Sequence, residues 1–168
     1  MTLRTFEEEE SNQMNRTLNP CTAKPERIDA VRLSKPEDYP QLFRLENDFL
    51  SEIGEPCLDA PRMERLQRAV EEERIVFFLA RRGDRAVGMC SVSPCFSTFA
   101  CTDIGVFDDF YVEPAHRRCG AARLLVRTAE NWCRKNGLAS LIVGASDEAM
   151  YKSLGFTTEL GPMLAHPI

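Results

Sequence analysis

Along the first 26 residues polar side chains dominate, Glu7 to Glu10 form an acidic run, and apolar residues follow neither a helical nor a strand period. That pattern reads as a solvated tail. From Ile28 the pattern tightens. "IDAVRL" alternates well enough for a first strand, and "SKPE" ends it, with Ser34 and Glu37 at capping-box spacing and Pro36 in the first turn of a helix. Leu42, Leu45 and Phe49 then recur at helical spacing. A second helix is expected from Asp59-Ala60-Pro61, burying Met63, Leu66 and Val70 and running out in "EEER".

The period then changes. "IVFFLARR" and "AVGMCSVSP" are apolar runs separated by the turn dipeptide "GD", which predicts a hairpin. A loop through Phe96-Ser97-Thr98-Phe99 leads to the strand "DIGVFDDFYV", closed by Glu113-Pro114. The helix expected from Ala121 to Asn136 presents Leu124, Leu125, Thr128, Ala129 and Trp132 on one face, and Gly137 stops it. "SLIVGAS" is a buried strand, residues 148 to 154 a short helix, and Gly155-Phe156 turns into a final strand or hairpin ending at Pro167. The order β-α-α-β-β-β-α-β-α-β(β) combines an antiparallel meander with one βαβ unit. It predicts an α/β (α+β) fold with a mixed, mostly antiparallel sheet flanked by helices. Residues 27–168 are expected to form a single domain behind the tail 1–26.

Composition changes this picture little: 43% hydrophobic and 28% charged residues over 168 positions suit one globular domain. Charge changes it more. The net charge of −5 argues against broad nucleic-acid binding, yet Arg117, Arg118, Arg123, Arg127, Arg134 and Lys135 cluster between His116 and Asn136, opposed by Glu130 alone. A local positive field on an acidic chain suits a small polyanion. The seven cysteines form no CxxC pair, and several sit in apolar runs, so reduced thiols and no metal site are expected. No apolar stretch is long enough to span a bilayer, and "MTLRTFEEEE" has no apolar targeting core. A cytoplasmic location is the expectation.

The candidate chemistry lies at the joint "VEPAHRRCGAARLL". Small residues where a turn enters a helix let backbone N–H groups approach a ligand at the positive end of the helix dipole. Arg117 and Arg118 add fork-shaped donors for phosphate oxygens. Neither GxxxxGK[ST] nor a strand-following GxGxxG is present, which excludes two other nucleotide motifs.

"DDFYVEPAHRRCGAARLL" resembles motif A of the GNAT superfamily of acyl-CoA-dependent N-acetyltransferases, in which a strand ends in hydrophobic-Tyr/Phe-Val-x-Pro and an R/Q-x-x-G-x-G/A turn opens a long helix. "LIVGASDEAMYKSLGF" is similar to motif B, with its ending Y-x-x-L-G-F, and "VRLSKPEDYPQLFRLE" to the family's first strand and helix. The chain departs from the pattern in having Arg118 where Gly is usual, Ala121-Ala122 where Ile-Gly or Val-Gly is common, and Ser146 where Asn is frequent. Motif B is also shorter than usual between Ser146 and Tyr151.

The resemblance implies an acyltransferase that takes acetyl-CoA as cosubstrate, without a metal. Its pyrophosphate would sit on the amides of Arg118, Cys119, Gly120, Ala121 and Ala122, with Arg117 and Arg123 nearby. The pantetheine arm would pair with the backbone of Phe110, Tyr111 and Val112, with Ser146 as a further contact. Strands near 103–112 and 140–146 would splay to admit the thioester, and an N–H near Phe110 or Tyr111 would meet the oxyanion. Tyr151 takes the position of the general acid for the departing thiolate. An acceptor ammonium, with a pKa near ~10, needs a base or an ordered water to reach the neutral state. Asp108 is the first candidate for base or cation anchor and Asp109 the second.

The acceptor implied is a primary amine, on a small cationic metabolite by the acidity of the remaining surface. "CFSTFA" is a candidate acceptor-site loop, with Asp103 near the mouth. A protein N-terminus or lysine, or a non-catalytic acyl-CoA-binding module, are the alternatives. Neither nucleic acid nor membrane is expected as a partner, and the resemblance allows a homodimer.

Overall fold

The hairpin run "VFFLA" is buried at every position, Val76 to Ala80, and this places it at the middle of a sheet covered on both faces. The computed structural model describes residues 27–144 and 147–158. The tail 1–26, Ser146 and the final strand or hairpin lie outside those residues.

Five strands form one sheet in the order β1-β2-β3-β4-β5: β1 Ile28–Arg32, β2 Val76–Arg82, β3 Arg85–Ser97, β4 Thr102–Val112 and β5 Leu141–Val143. The first four pair antiparallel and β5 lies parallel to β4. Helix α1 (Tyr39–Glu52) covers one face and α3 (Ala121–Lys135) the other; α2 (Ala60–Glu71) follows α1, and the short α4 (Glu148–Leu154) follows β5. The expected element order and mixed sheet are therefore present through residue 158.

Period-two alternation sorts β2 between the faces. Val76, Phe78 and Ala80 join Leu125, Val126 and Ala129 of α3, whereas Phe77 and Leu79 join Leu42 and Leu45 of α1. Burying such a Phe or Leu stabilises the fold by about 1.5–3 kcal/mol each. Trp132 meets Phe78 edge-on at 6.1 Å. The buried stripe of α3 is Ala121, Leu125, Val126, Ala129 and Cys133, so Leu124, Thr128 and Trp132 mark its margin rather than its centre.

Two expectations need correction. The Ser34–Glu37 capping box does not form. Pro36–Asp38 make a 3-10 turn instead, α1 starts at Tyr39 without a side-chain cap, and Asp38 pairs with Arg81 at 2.5 Å. In α2, Asp59 does cap through the amide of Arg62, but Met63, Leu66 and Val70 are only half-buried. Gly105 records a close approach inside β4: a Cβ there would meet Val92 Cγ1 at 2.8 Å and Leu141 Cδ1 at 3.0 Å.

Helix α1 is locked to the sheet by ions. Arg44 donates to Glu113 Oε1 at 2.5 Å and to the Ala86 carbonyl at 2.5 Å, and Arg85 donates to the same Glu113 oxygen at 2.7 Å. Burial pushes the Glu113 carboxyl up, but the two guanidinium bonds outweigh it and hold the group below its usual range. Among the described residues, no helix is long and apolar enough to cross a membrane.

Candidate active site

Strand β4 changes character halfway along. Cys90 pairs with Phe110 and Val92 with Phe107, so the single β3 residue Ser91 faces both Asp108 and Asp109. This is a β-bulge. The Ser91 side chain repairs the ladder locally: its Oγ accepts from the Asp109 amide at 3.0 Å and donates to Asp109 Oδ2 at 3.0 Å. The extra residue resets the alternation, so Phe107 and Phe110 share the α3 face with ring centroids 5.3 Å apart.

The bulge also marks where the sheet opens. The parallel ladder of β4 and β5 runs from Gly105↔Leu141 to Phe107↔Val143 and ends there. Beyond it, the edge of β4 from Asp108 to Val112 has no strand beside it among the described residues. The described ladder thus ends within the stretch where the splay between these strands is expected.

At the end of that open edge stands the N-terminus of α3. Gly120, at φ +88°, is its N-cap and offers no side-chain cap, and Arg118 is also left-handed at φ +61°. First-turn amides have no partner within a helix. Those of Gly120, Ala121 and Ala122 make no backbone bond to another described residue. Arg118 and Arg123 are exposed beside them. Arg117 is not a mobile charge. Its Nε donates to the Val112 carbonyl at 2.8 Å, its Nη2 to Glu52 at 2.5 Å, and its guanidinium lies 5.7 Å from the Tyr111 ring. It ties the turn to α1. Cys119 is disulfide-bonded, which corrects the expectation of reduced thiols at that position; Cys57, Cys90, Cys95, Cys101 and Cys133 are free.

On the other side of the opening, α4 delivers Tyr151 into the core. Its ring lies 6.1 Å from that of Phe110 and 5.7 Å from that of Phe156. Burial, and then the charges of Asp108 and Asp147, raise its pKa, so at neutral pH it remains the phenol, the form that donates a proton. Asp108 is exposed and Asp109 half-buried; burial and then the Asp108 charge raise the Asp109 carboxyl, against the Ser91 bond.

The model of the acetyltransferase (GNAT) family matches residues 39–156. The chain belongs to the GNAT acetyltransferase family. It is therefore an acyltransferase, and the family's fold uses acetyl-CoA. It is 29% identical over 106 residues to the aminoglycoside N(6')-acetyltransferase type 1 of Acinetobacter haemolyticus, covering 58% of this chain and 73% of that one. A solved probable acetyltransferase superposes with a TM-score of 0.73 at 22% identity over 83% of this chain and 97% of its own. A predicted acetyltransferase of Clostridium acetobutylicum solved with acetyl-CoA gives a TM-score of 0.70 at 16% identity, over 83% of this chain and 96% of its own.

Against the GNAT expectations, the hairpin "CFSTFA" sits elsewhere. Its turn lies roughly 20 Å along β4 from the bulge at about 3.3 Å per residue, with Phe96 and Phe99 exposed. His116 is half-buried, with Nδ1 3.2 Å from Glu113. One residue of the site escaped the sequence reading. Glu46 of α1 is buried, and the negative charges acting on it are those of Asp109 and Asp108. Its signal was present: Glu46 falls on the stripe of Leu42, Leu45 and Phe49, where an apolar residue belongs.

Proposed function

We propose that the protein transfers the acetyl group of acetyl-CoA to a primary amine of a small cationic molecule, by direct attack within a ternary complex. The observation that carries this reading is the coincidence of the β4 bulge, the end of the β4–β5 ladder and the uncapped start of α3 on one open edge. These features fit the cosubstrate. The amides of Arg118 to Ala122 suit a diphosphate, with Arg118 and Arg123 as its counter-charges. The free edge at Phe110, Tyr111 and Val112 suits the pantetheine amides, and an amide there supplies the oxyanion donor.

Two residues move protons. Asp108, at the exposed side of the bulge, takes the proton of the attacking amine, and Asp109 supports it. Tyr151, within the field of Asp108, donates to the thiolate as it departs. The aminoglycoside acetyltransferase among the relatives favours a small polar amine over a protein N-terminus or lysine.

Thiol release from acetyl-CoA with a panel of amines tests this. Turnover is expected with amino sugars or alkyl diamines and loss of it in Asp108→Asn. Coenzyme A uptake with no turnover on any amine would remove the proposed reaction.

A further inference from the structure

Helix α1 places Glu46 under the sheet, among Leu42, Leu45 and Phe49. The residue is 4% exposed and its Oε1 has no hydrogen-bond partner among the described residues. A buried carboxyl oxygen without a donor is costly and uncommon. The charges of Asp109 and Asp108 of β4 act on it, and Asp109 is itself bonded to Ser91 of β3. The cation of α1, Arg44, is engaged with Asp48, Glu113 and the Ala86 carbonyl. Helix α2 contributes the apolar Leu66 and Val70 to this side of the molecule.

We propose that Glu46 is the buried anchor for a second ammonium group of the acceptor, which enters past Asp108 and Asp109 and supplies the donor that Oε1 lacks. The proposal rests on the acetyl-transfer reading above and narrows its substrate to molecules with at least two amino groups. The three acids grade from exposed Asp108 through half-buried Asp109 to buried Glu46, which draws a cation inward. Among the described residues, no three His, Cys, Asp or Glu side chains are grouped to hold a metal ion.

The anchored group is not the one that reacts. An amine paired with a buried carboxylate is held as the cation, and the thioester needs the neutral amine. The reacting nitrogen therefore belongs near Asp108, whose charge reaches Tyr151, while its sister sits at Glu46. Burial, and then the charges of Asp109 and Asp108, raise the Glu46 carboxyl to about 8, so in the free protein at pH 7 it holds a proton. Entry of an ammonium then displaces about one proton to solvent.

Two measurements on the full chain decide the matter. The first compares kcat/KM for 1-aminobutane, 1,4-diaminobutane and sisomicin in the wild type and in Glu46→Gln. The wild type should favour the better polyamine over 1-aminobutane by roughly ten- to hundredfold, the worth of a charge-assisted bond. Glu46→Gln should erase that preference while its affinity for coenzyme A, which also reports folding, stays unchanged. The second is calorimetry of the coenzyme-bound wild type with the two polyamines in buffers of differing ionisation enthalpy, with release of about one proton expected at pH 7.

A preference that survives Glu46→Gln, binding without proton release, or no uptake of either polyamine overturns the anchor. Polyamine uptake with proton release but no turnover retains the anchor and removes the acetyl transfer instead.

Discussion

The two sides of β4 are built in different ways. On the donor side, the open edge and the start of α3 offer main-chain amides, presented by small residues and a left-handed Gly120 within one contiguous stretch, residues 110–123. On the proposed acceptor side, the carboxylates of Glu46, Asp108 and Asp109 and the Ser91 hydroxyl bonded to Asp109 come from three elements scattered over 64 positions of sequence. Backbone amides serve any chain that makes the same turn, so the donor side is carried by a short motif. Side chains must be placed one by one, so the acceptor side has no comparable local signature. The comparison also separates costs. The donor side leaves unsatisfied only groups that every helix leaves unsatisfied, whereas the acceptor side buries Glu46 within the field of Asp109 and Asp108.

Tyr151 stands where the sides meet, and its replacement should give the largest effect. In Tyr151→Phe the ring contacts with Phe110 and Phe156 remain, and only the hydroxyl is lost. Steady-state kinetics should show kcat lowered by about 10²- to 10⁴-fold, the usual worth of a general acid, with both KM values and the melting temperature nearly unchanged. Retention of full kcat would return Tyr151 to the core as a packing residue.

The acceptor side should also reveal itself as a pH-dependent loss of stability. The folded-state pKa of Glu46, about 8, lies above the ordinary 4.5, so the folded protein binds the extra proton. Its contribution is fully present below about pH 4.5 and is lost as pH rises through about 8. Asp109, also raised, adds in the same direction, while Glu113, lowered, contributes stability that is lost as pH falls below its ordinary range. Thermal unfolding of Glu46→Gln should match the wild type near pH 5. It should exceed the wild type near pH 9 by an amount on the order of a few kcal/mol. Parallel curves at the two pH values would show that the carboxyl is not buried among like charges.

How much of this was legible in the chain follows from the same contrast. The apolar run "VFFLA", the Asp59 cap and the apolar stripe of α3 are local signals, and the elements they predicted form. The turn at Gly120 was legible because a short motif carries it. The Ser34–Glu37 pair misled because its spacing is also satisfied by a 3-10 turn, once Asp38 finds Arg81 across 43 residues. The bulge at Asp108–Asp109 has no local signature either. It follows from registering β4 against β3, which sets two adjacent acids opposite the single Ser91. Glu46 looked like an ordinary helical charge until α1 was docked, although its place on the apolar stripe marked it as the odd residue.

The smallest predicted effect tests whether the donor side works through its backbone. Gly120 caps α3 at φ +88°, and a Cβ added there would meet no atom within 4 Å. Alanine is therefore excluded by no neighbour, and its cost is the left-handed conformation alone, about 1–2 kcal/mol. If that strain is relieved by rotating the turn, the amides of Gly120 to Ala122 leave their present aim. Gly120→Ala should then raise the KM for acetyl-CoA by roughly three- to tenfold, corresponding to part of that strain, while leaving the KM for the amine unchanged. The separation of the two constants is the informative part. A change in the amine constant of equal size would mean that the α3 turn and the acid cluster move as one unit, and that the division of β4 into two independently built sides is wrong.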